Sequence, residues 1–520
     1  MAADGAAVVV LAWLTPPAVF NVHDDLEKYF EHPVRMLANG TLTPNPLGSL
    51  GAETLGGQAW LHALVLVHLP IEFIGSVEPG SGFLLALALA GFGVPHAGKG
   101  VTAAAAGLCL LAINPQVVNV SSVFTGAALM MATALVTADE RTDARWPAHV
   151  LGLLYAALIA LKTTHGAFVV LHGAGLFLAG WLLGFRCVKR VFASGLWALL
   201  FLSPWLLLHR ALYFAPTTDA PPPPPAAATE TVSVFSATVN GYGSTLLHYT
   251  LLAALVLIAA AVAVIAGRRR WMVVSASAGA FVAVGVAAGA GYFLVEWIGG
   301  PRWFGSYGAS RYATASLLAA LPAMLLLGRA MMPERARAYW SAGGLVLAGA
   351  LVIGFWPSLV SRVRDAADLR TSLAYLGQAQ PVARGEFASY NRAALSDLTR
   401  TNLRAIQDFV PTGAPIAAWV STPFHLDFAR NRIFTIDPAG LTMRWARMPA
   451  EVEYVLLQYR GLAVRSRPEL EGMITAGASA ADRASGFRTL EFMDALQRQA
   501  ARARILYNDG TYVLMRLPRP

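Results

Sequence analysis

The chain has 520 residues, of which 56% are hydrophobic and 13% are charged, and its mean hydropathy is +0.53. Soluble domains carry about 25% charged residues, so the composition excludes a wholly water-soluble protein and favours a bundle of membrane-spanning helices. The net charge of +9 is then explained by cytoplasmic loops and lipid-headgroup contacts rather than by a nucleic-acid surface. Cys109 and Cys187 lie far apart in apolar segments, which predicts neither a disulfide nor a metal site.

Apolar segments in residues 1–357 predict about eleven spanning helices. The first follows Asp4 with no Lys or Arg before it, so we expect a retained helix rather than a cleaved signal peptide. Placing the basic clusters in cytoplasmic loops puts the N-terminus inside and everything after Pro357 outside. The predicted spans are residues 6–22, 82–97, 99–117, 121–138, 148–163, 165–185, 191–209, 246–266, 271–295, 312–328 and 340–357.

The first external loop is predicted to run from about 23 to 80. Two segments in it, 24–39 and 58–76, mix apolar and polar residues and are expected to form helices in the outer membrane interface. The second segment contains Pro70 and Glu72, and if it spanned the membrane the basic loops downstream would change sides.

Residues 358–520 carry more charge and shorter apolar runs, which predicts a soluble extracytoplasmic α/β domain. Before it, an external loop at about 210–245 contains Pro221 to Pro225, a stiff stretch typical of a spacer or lid. Strands are predicted at 416–420, 432–436 and 454–459, a hairpin at 505–515 around Asn508-Asp509-Gly510, and helices at about 385–409 and 486–503.

Two adjacent acidic residues, Asp24 and Asp25, follow the first predicted span directly. One interpretation is that they only mark the water interface. The other is catalytic, since adjacent carboxylates raise one another's proton affinity and one of them can then act as a general base.

This layout resembles the GT-C superfamily of membrane glycosyltransferases, most closely the bacterial aminoarabinose transferases and protein O-mannosyltransferases. The resemblance rests on the acidic pair after helix one, the long first external loop, the many helices and the C-terminal external domain. In residues it rests on Asp24-Asp25 and on Ser310-Arg311-Tyr312 before a span that contains Pro322.

The resemblance implies an enzyme that takes a sugar from a polyprenyl-phosphate donor at the outer face of a bacterial inner membrane. Asp24 or Asp25 would deprotonate an acceptor hydroxyl of a lipid, glycan or protein, and the attack would invert the anomeric carbon. The lipid phosphate would leave, and leaving phosphates need cations.

Cations on the predicted outer face are exceptions to the positive-inside rule and are therefore candidates for binding the donor phosphate or sugar. The alternative for each is anchoring to lipid headgroups. The candidates for donor binding are Lys28, Lys162, His165, Arg302, Arg311 and Tyr312, with Arg35 and Arg210 as further outer cations and Tyr29 as a further site candidate.

A divalent metal could be held by Asp24, Asp25 and Glu53, but their spacing has no metal signature, so no metal or other cofactor is predicted. Glu72 and Glu78 are expected to be solvated or capping groups, and His62 and His68 to serve packing.

Two other classes of function compete with the transferase. A polysaccharide polymerase or ligase of the O-antigen type usually concentrates Arg in a long late outer loop, whereas the loop at 210–245 is Pro-rich with few charges. A lipid or polysaccharide transporter would place polar residues at the membrane midplane and often contain a two-fold repeat, and the sequence has no such repeat.

Overall fold

A computed structural model describes residues 25–26, 29–40, 55–92, 121–137, 146–183, 188–213, 394–436, 448–459 and 480–518, with the single residues Ala315, Ala319 and Ala342. In these ranges the α-helices are α1 (Glu31–Asn39), α2 (Gly57–Leu66), α3 (Phe83–Phe92), α4 (Phe124–Thr137), α5 (Ala148–Leu161), α6 (His165–Leu183), α7 (Val188–Tyr213), α8 (Asp397–Gln407) and α9 (Ala480–Ala500). The strands are β1 (Ile416–Trp419), β2 (Ile433–Thr435), β3 (Tyr454–Gln458), β4 (Arg504–Asn508) and β5 (Tyr512–Arg516).

The segment predicted as the first external loop, a name we keep for residues 23–80, contains both predicted helices, but the described α-helix in each is shorter than expected. The segment 24–39 begins with a π-helical turn at Asp25, and its α-helix, α1, ends at Gly40 in the left-handed conformation. The segment 58–76 is interrupted near Pro70, which lacks the backbone N–H that a continuous helix requires. A 3-10 helix at Ile71–Ser76 and a π-helical turn at Val77–Gly82 then lead into α3.

Helices α4 to α7 coincide with the predicted spans 121–138, 148–163, 165–185 and 191–209. Their helical character is confirmed, and that they cross a membrane stays a prediction. Among the described helices, α7 alone is long and apolar enough for a crossing, over Val188–Leu207. The spans predicted at 6–22, 99–117, 246–266 and 271–295, both cysteines and Pro221 to Pro225 lie outside the described residues.

Helices α5 and α7 pack closely because a glycine lies at their contact. A Cβ at Gly152 of α5 would lie 2.5 Å from the Trp197 Cβ and 2.8 Å from the Ser194 carbonyl oxygen, both on α7. Around this contact, Leu151, Tyr155 and Ala198 form a buried apolar cluster.

We expect Gly152→Ala to lower the melting temperature, because the added methyl must push α5 away from α7 at a cost of about 1–3 kcal/mol. The matched control is Gly195→Ala on α7, where a Cβ would meet no described atom within 4 Å. That variant should keep or raise the melting temperature, since Ala favours helix more than Gly does. Thermal unfolding of the purified protein measures both, and equal values would refute the close contact.

The C-terminal region forms a five-stranded sheet in the order β2-β1-β3-β5-β4. β1 pairs in parallel with β2 and β3, while β5 runs antiparallel to β3 and to β4. The β4–β5 hairpin turns at Gly510, whose φ of 79° is a conformation that glycine adopts without strain. All the predicted strands are therefore confirmed.

The two faces of this sheet are covered by different helices. On one face, Phe492 and Leu496 of α9 pack with Trp419, Phe434 and Val455. The other face packs against α8, through Leu403 and Ile406, and against Val34 and Ala38 of α1. A helix of the first external loop is thus part of the cover of the C-terminal sheet.

One predicted helix in this region is interrupted at Ser396. Residues 385–409 were expected to form one helix, but Ser396 has extended backbone and its hydroxyl accepts a hydrogen bond from the Thr399 N–H at 3.2 Å. This N-cap begins α8 at Asp397 and separates it from the helical Ala394.

Candidate functional site

Asp25 is fully buried at the start of the first external loop. Its carbonyl oxygen accepts a hydrogen bond from the Phe30 N–H at 2.9 Å, which closes the π-helical turn. Tyr29, the other described candidate in this turn, is partly buried. We refer to the described residues Asp25, Leu26, Tyr29 and Phe30 as the acidic turn.

The acidic turn packs on the C-terminal domain through an apolar cluster. Leu26 and Phe30 lie in it with Ile74 of the loop and Phe424 of the domain. The rings of Phe30 and Phe424 meet edge to face, with centroids 5.3 Å apart. Phe424 belongs to the short 3-10 turn Pro423–His425 after β1.

Glu78 joins the first external loop to the helical bundle. It is fully buried, and its Oε2 accepts hydrogen bonds from the backbone N–H groups of Phe124 at 2.8 Å and Thr125 at 3.3 Å. These N–H groups belong to the first turn of α4, where they have no partner within the helix. Glu78, which is not part of α4, therefore acts as an N-cap for it. Burial raises the pKa of the Glu78 carboxyl to about 7, against the opposing effect of these hydrogen bonds. Of the two roles expected for Glu78, capping is confirmed and solvation is wrong.

Two residues of α2 extend this network. The Gln58 side-chain amide donates to Glu78 Oε1 at 3.3 Å and lies 2.9 Å from His62 Nε2, which therefore acts as the acceptor. Burial lowers the pKa of His62 to about 3, with a smaller contribution from His32, so its ring is neutral at neutral pH. His62 is buried and His68 is exposed, so packing describes the first and not the second.

Lys162 and His165 lie at the junction of α5 and α6, and both are buried. His165 Nε2 is 3.1 Å from the Ser122 carbonyl oxygen, to which it must donate because a carbonyl only accepts. The ring packs against Gly126, where a Cβ would come within 2.6 Å of Nε2. This nitrogen thus joins α6 to the start of α4, and Lys162 is a buried basic residue at the same junction.

Arg35, which the sequence indicated as an outer cation, does not point to a phosphate site. Its guanidinium is buried and bound to Glu31 of α1 and to two residues of β2, Ile433 and Thr435. Several other candidates lie outside the described residues, namely Asp24, Lys28, Glu53, Arg302, Arg311 and Tyr312, and of Glu72 and Arg210 only the backbone is described.

Within the described ranges, no three His, Cys, Asp or Glu residues come together in a group that could hold a metal ion. The buried polar residues Glu31 and Gln58 were not singled out from the sequence. A local signal existed, because Glu31 and Arg35, like Gln58 and His62, are spaced four apart and so share a helix face.

No family model matches the chain, and no curated protein matches it. Among solved structures, it is similar to ArnT from Cupriavidus metallidurans bound to undecaprenyl phosphate, with 14% identity, a TM-score of 0.47, and coverage of 99% of this chain and 97% of that one. It is also similar to the apo state of the same protein, with 14% identity, a TM-score of 0.49, and coverage of 100% and 98%. Both are structures of an aminoarabinose transferase, the kind of protein that the sequence layout resembles.

Proposed function

We propose that the chain is an inverting glycosyltransferase that uses a polyprenyl-phosphate sugar at the outer face of a bacterial inner membrane. The acceptor hydroxyl attacks the anomeric carbon, a new C–O bond forms, and the bond to the phosphate oxygen breaks. The hydroxyl proton passes to Asp24 or Asp25, and the polyprenyl phosphate leaves with the bonding electrons. Inversion follows from this single displacement.

The burial of Asp25 is the observation that carries this proposal. Burying a carboxylate is unfavourable unless it is paired or hydrogen-bonded, so a residue that only marked the membrane interface would lie in water. Asp25 is instead fully buried, and the next residue, Leu26, packs in the apolar cluster that contains Phe424 of the C-terminal domain. A desolvated carboxylate at a loop start is a suitable general base for a hydroxyl.

Lys162 supports the phosphate part of the proposal. Lys162 is a buried basic residue at the junction of α5 and α6, which the charge pattern of the sequence puts on the outer side of the membrane, where a donor phosphate would lie. We propose that it binds the donor phosphate, with His165 holding the α5–α6 junction in place through Ser122.

The proposal is tested with the purified protein, a radiolabelled polyprenyl-monophosphate sugar and a membrane extract as the source of acceptor. Release of polyprenyl phosphate with transfer of label is the expected result. Turnover of a pyrophosphate-linked oligosaccharide instead would overturn the proposal in favour of a ligase, and movement of intact donor across vesicles without cleavage would indicate a transporter.

Lys162→Met should lower kcat/KM for the donor by about 10- to 100-fold, because a charge-assisted hydrogen bond to phosphate contributes about 1.5–3 kcal/mol. The loss should be seen as a higher donor KM. Lys189→Met is the control, since Lys189 is an exposed cation of α7 near its start. A Lys162→Met protein with normal donor kinetics would exclude Lys162 from the phosphate site.

A further inference from the structure

Helix α1 is attached to the open edge of the C-terminal sheet by buried polar contacts. Among the described strands, the order makes β2 an edge strand, which pairs with β1. Arg35 Nη1 donates to the Ile433 carbonyl oxygen at 2.8 Å, and its Nη2 donates to Thr435 Oγ1 at 3.0 Å. The Arg35 guanidinium thus binds a backbone carbonyl and a side-chain hydroxyl on the edge strand β2.

Glu31 completes this contact from within α1. Its Oε1 accepts hydrogen bonds from Arg35 Nε at 3.1 Å and from the Thr435 hydroxyl at 2.8 Å, and Arg35 Nη2 also binds it. The Arg35 guanidinium lies 4.6 Å from the centroid of the Phe428 ring, which packs over it. We call Glu31, Arg35, Thr435 and the Ile433 carbonyl the Arg35 clamp. Both charged members are 5% exposed or less.

The clamp is continuous with the acidic turn. α1 begins at Glu31, directly after Phe30, and the Phe30 N–H is bonded to the Asp25 carbonyl oxygen. The ring of Phe30 meets Phe424 of the C-terminal domain. The domain therefore contacts this segment at both ends, at Phe30 within the acidic turn and at Arg35 one helical turn further along, in addition to the apolar packing of Val34 and Ala38.

We infer that the C-terminal domain holds the acidic turn in place and that Arg35 is a positioning residue acting on Asp25 through α1. The catalytic part of this inference rests on the proposed glycosyltransferase function. The domain is then a component of the active site's framework rather than a separate module. A displacement of about 1 Å can lower a rate about 100-fold, so a loosened clamp should reduce turnover without removing any reacting group.

Three variants weaken the clamp in different ways. Thr435→Val removes one hydroxyl and leaves both charges paired, while Arg35→Lys keeps the charge and loses the planar fork. The double variant Glu31→Gln with Arg35→Met removes both buried charges together, so that no unpaired charge prevents folding. Arg432→Met is the control, because Arg432 directly precedes β2, is exposed and pairs with Glu451 at the surface.

Hydrogen–deuterium exchange of residues 29–40 measures the attachment directly. All three clamp variants should speed exchange there about tenfold or more, while residues 480–500 on the other sheet face, and the whole Arg432→Met protein, should exchange as in the wild type. Unchanged exchange in residues 29–40 of the double variant would overturn the inference. This measurement does not depend on any enzymatic activity, so it separates failure of the clamp from failure of the proposed function.

Turnover tests the positioning role. Thr435→Val and Arg35→Lys should lower kcat about 10- to 100-fold with the donor KM nearly unchanged, since the phosphate contacts are not touched. Faster exchange of residues 29–40 with full kcat would overturn the positioning of Asp25, because the turn would then work without the clamp.

Discussion

Asp25→Asn is expected to lower the release of polyprenyl phosphate by about 100- to 10,000-fold, the range found when a general base is removed. An amide keeps the size of the carboxylate but cannot accept the proton of the acceptor hydroxyl. Because Asp25 is fully buried, the substitution should leave donor binding close to normal and affect kcat. Single-turnover release of labelled polyprenyl phosphate measures the effect.

Asp24→Asn is the companion variant, since the adjacent carboxylate is the other candidate for the base. The larger loss of kcat identifies the base, and the smaller loss reports the neighbour's influence on it. Asp397→Asn is a suitable control, because Asp397 is an exposed carboxylate in the first turn of α8. Full activity in both single variants and in the double variant would end the proposed mechanism.

The second large effect is a pH dependence of stability that originates at Glu78. Burial raises its pKa from 4.5 to about 7, a difference that corresponds to about 3 kcal/mol. Between these two values the folded protein holds more protons at this site than the unfolded protein does. Its contribution to the free energy of unfolding is therefore fully present below about pH 4.5 and is lost as the pH rises through about 7.

Glu78→Gln removes this titration, so the difference in melting temperature between the variant and the wild type should grow in favour of the variant from pH 5 to pH 8. Comparing the two proteins at each pH cancels the contributions of all other groups. Glu451→Gln, at an exposed carboxylate paired with Arg432, is the matched control for the loss of a carboxyl group. Parallel profiles for Glu78→Gln and the wild type would show that the buried carboxyl does not titrate in this range.

The C-terminal sheet could be predicted from the sequence because its signals are local. The hairpin carries Asp509-Gly510 between two apolar runs, and β1 is a short run of apolar residues, so each strand is recognisable alone. The N-cap at Ser396 was missed because the residues around it also fit a longer helical pattern. The boundary is set by the hydrogen bond from the Thr399 N–H to the Ser396 hydroxyl, and the sequence pattern alone does not reveal this bond.

The candidate site was predictable in part for the same reason. Asp25 could be selected because it follows an apolar segment, and Lys162 because it is a cation in apolar surroundings. The partners of Glu78 and Arg35 could not be predicted, since the α4 N-terminus and strand β2 lie 46 and 398 positions away in the chain. Arg35 therefore looked like a free outer cation, although the i,i+4 spacing to Glu31 already indicated a partner.

Strand β2 is covered by α1, and this contact affects both the synthesis of the chain and the production of C-terminal fragments. Ribosomes make α1 almost four hundred residues before the strand it contacts, so the helix cannot form this contact until the C-terminal sheet has been synthesised. A fragment that begins after residue 357 would carry an uncovered strand edge, with Phe424 and Phe428 deprived of their contacts to Phe30 and Arg35. Such a fragment is prone to edge-to-edge association, and production of a soluble C-terminal domain calls for supplying α1 as a tethered or co-expressed segment.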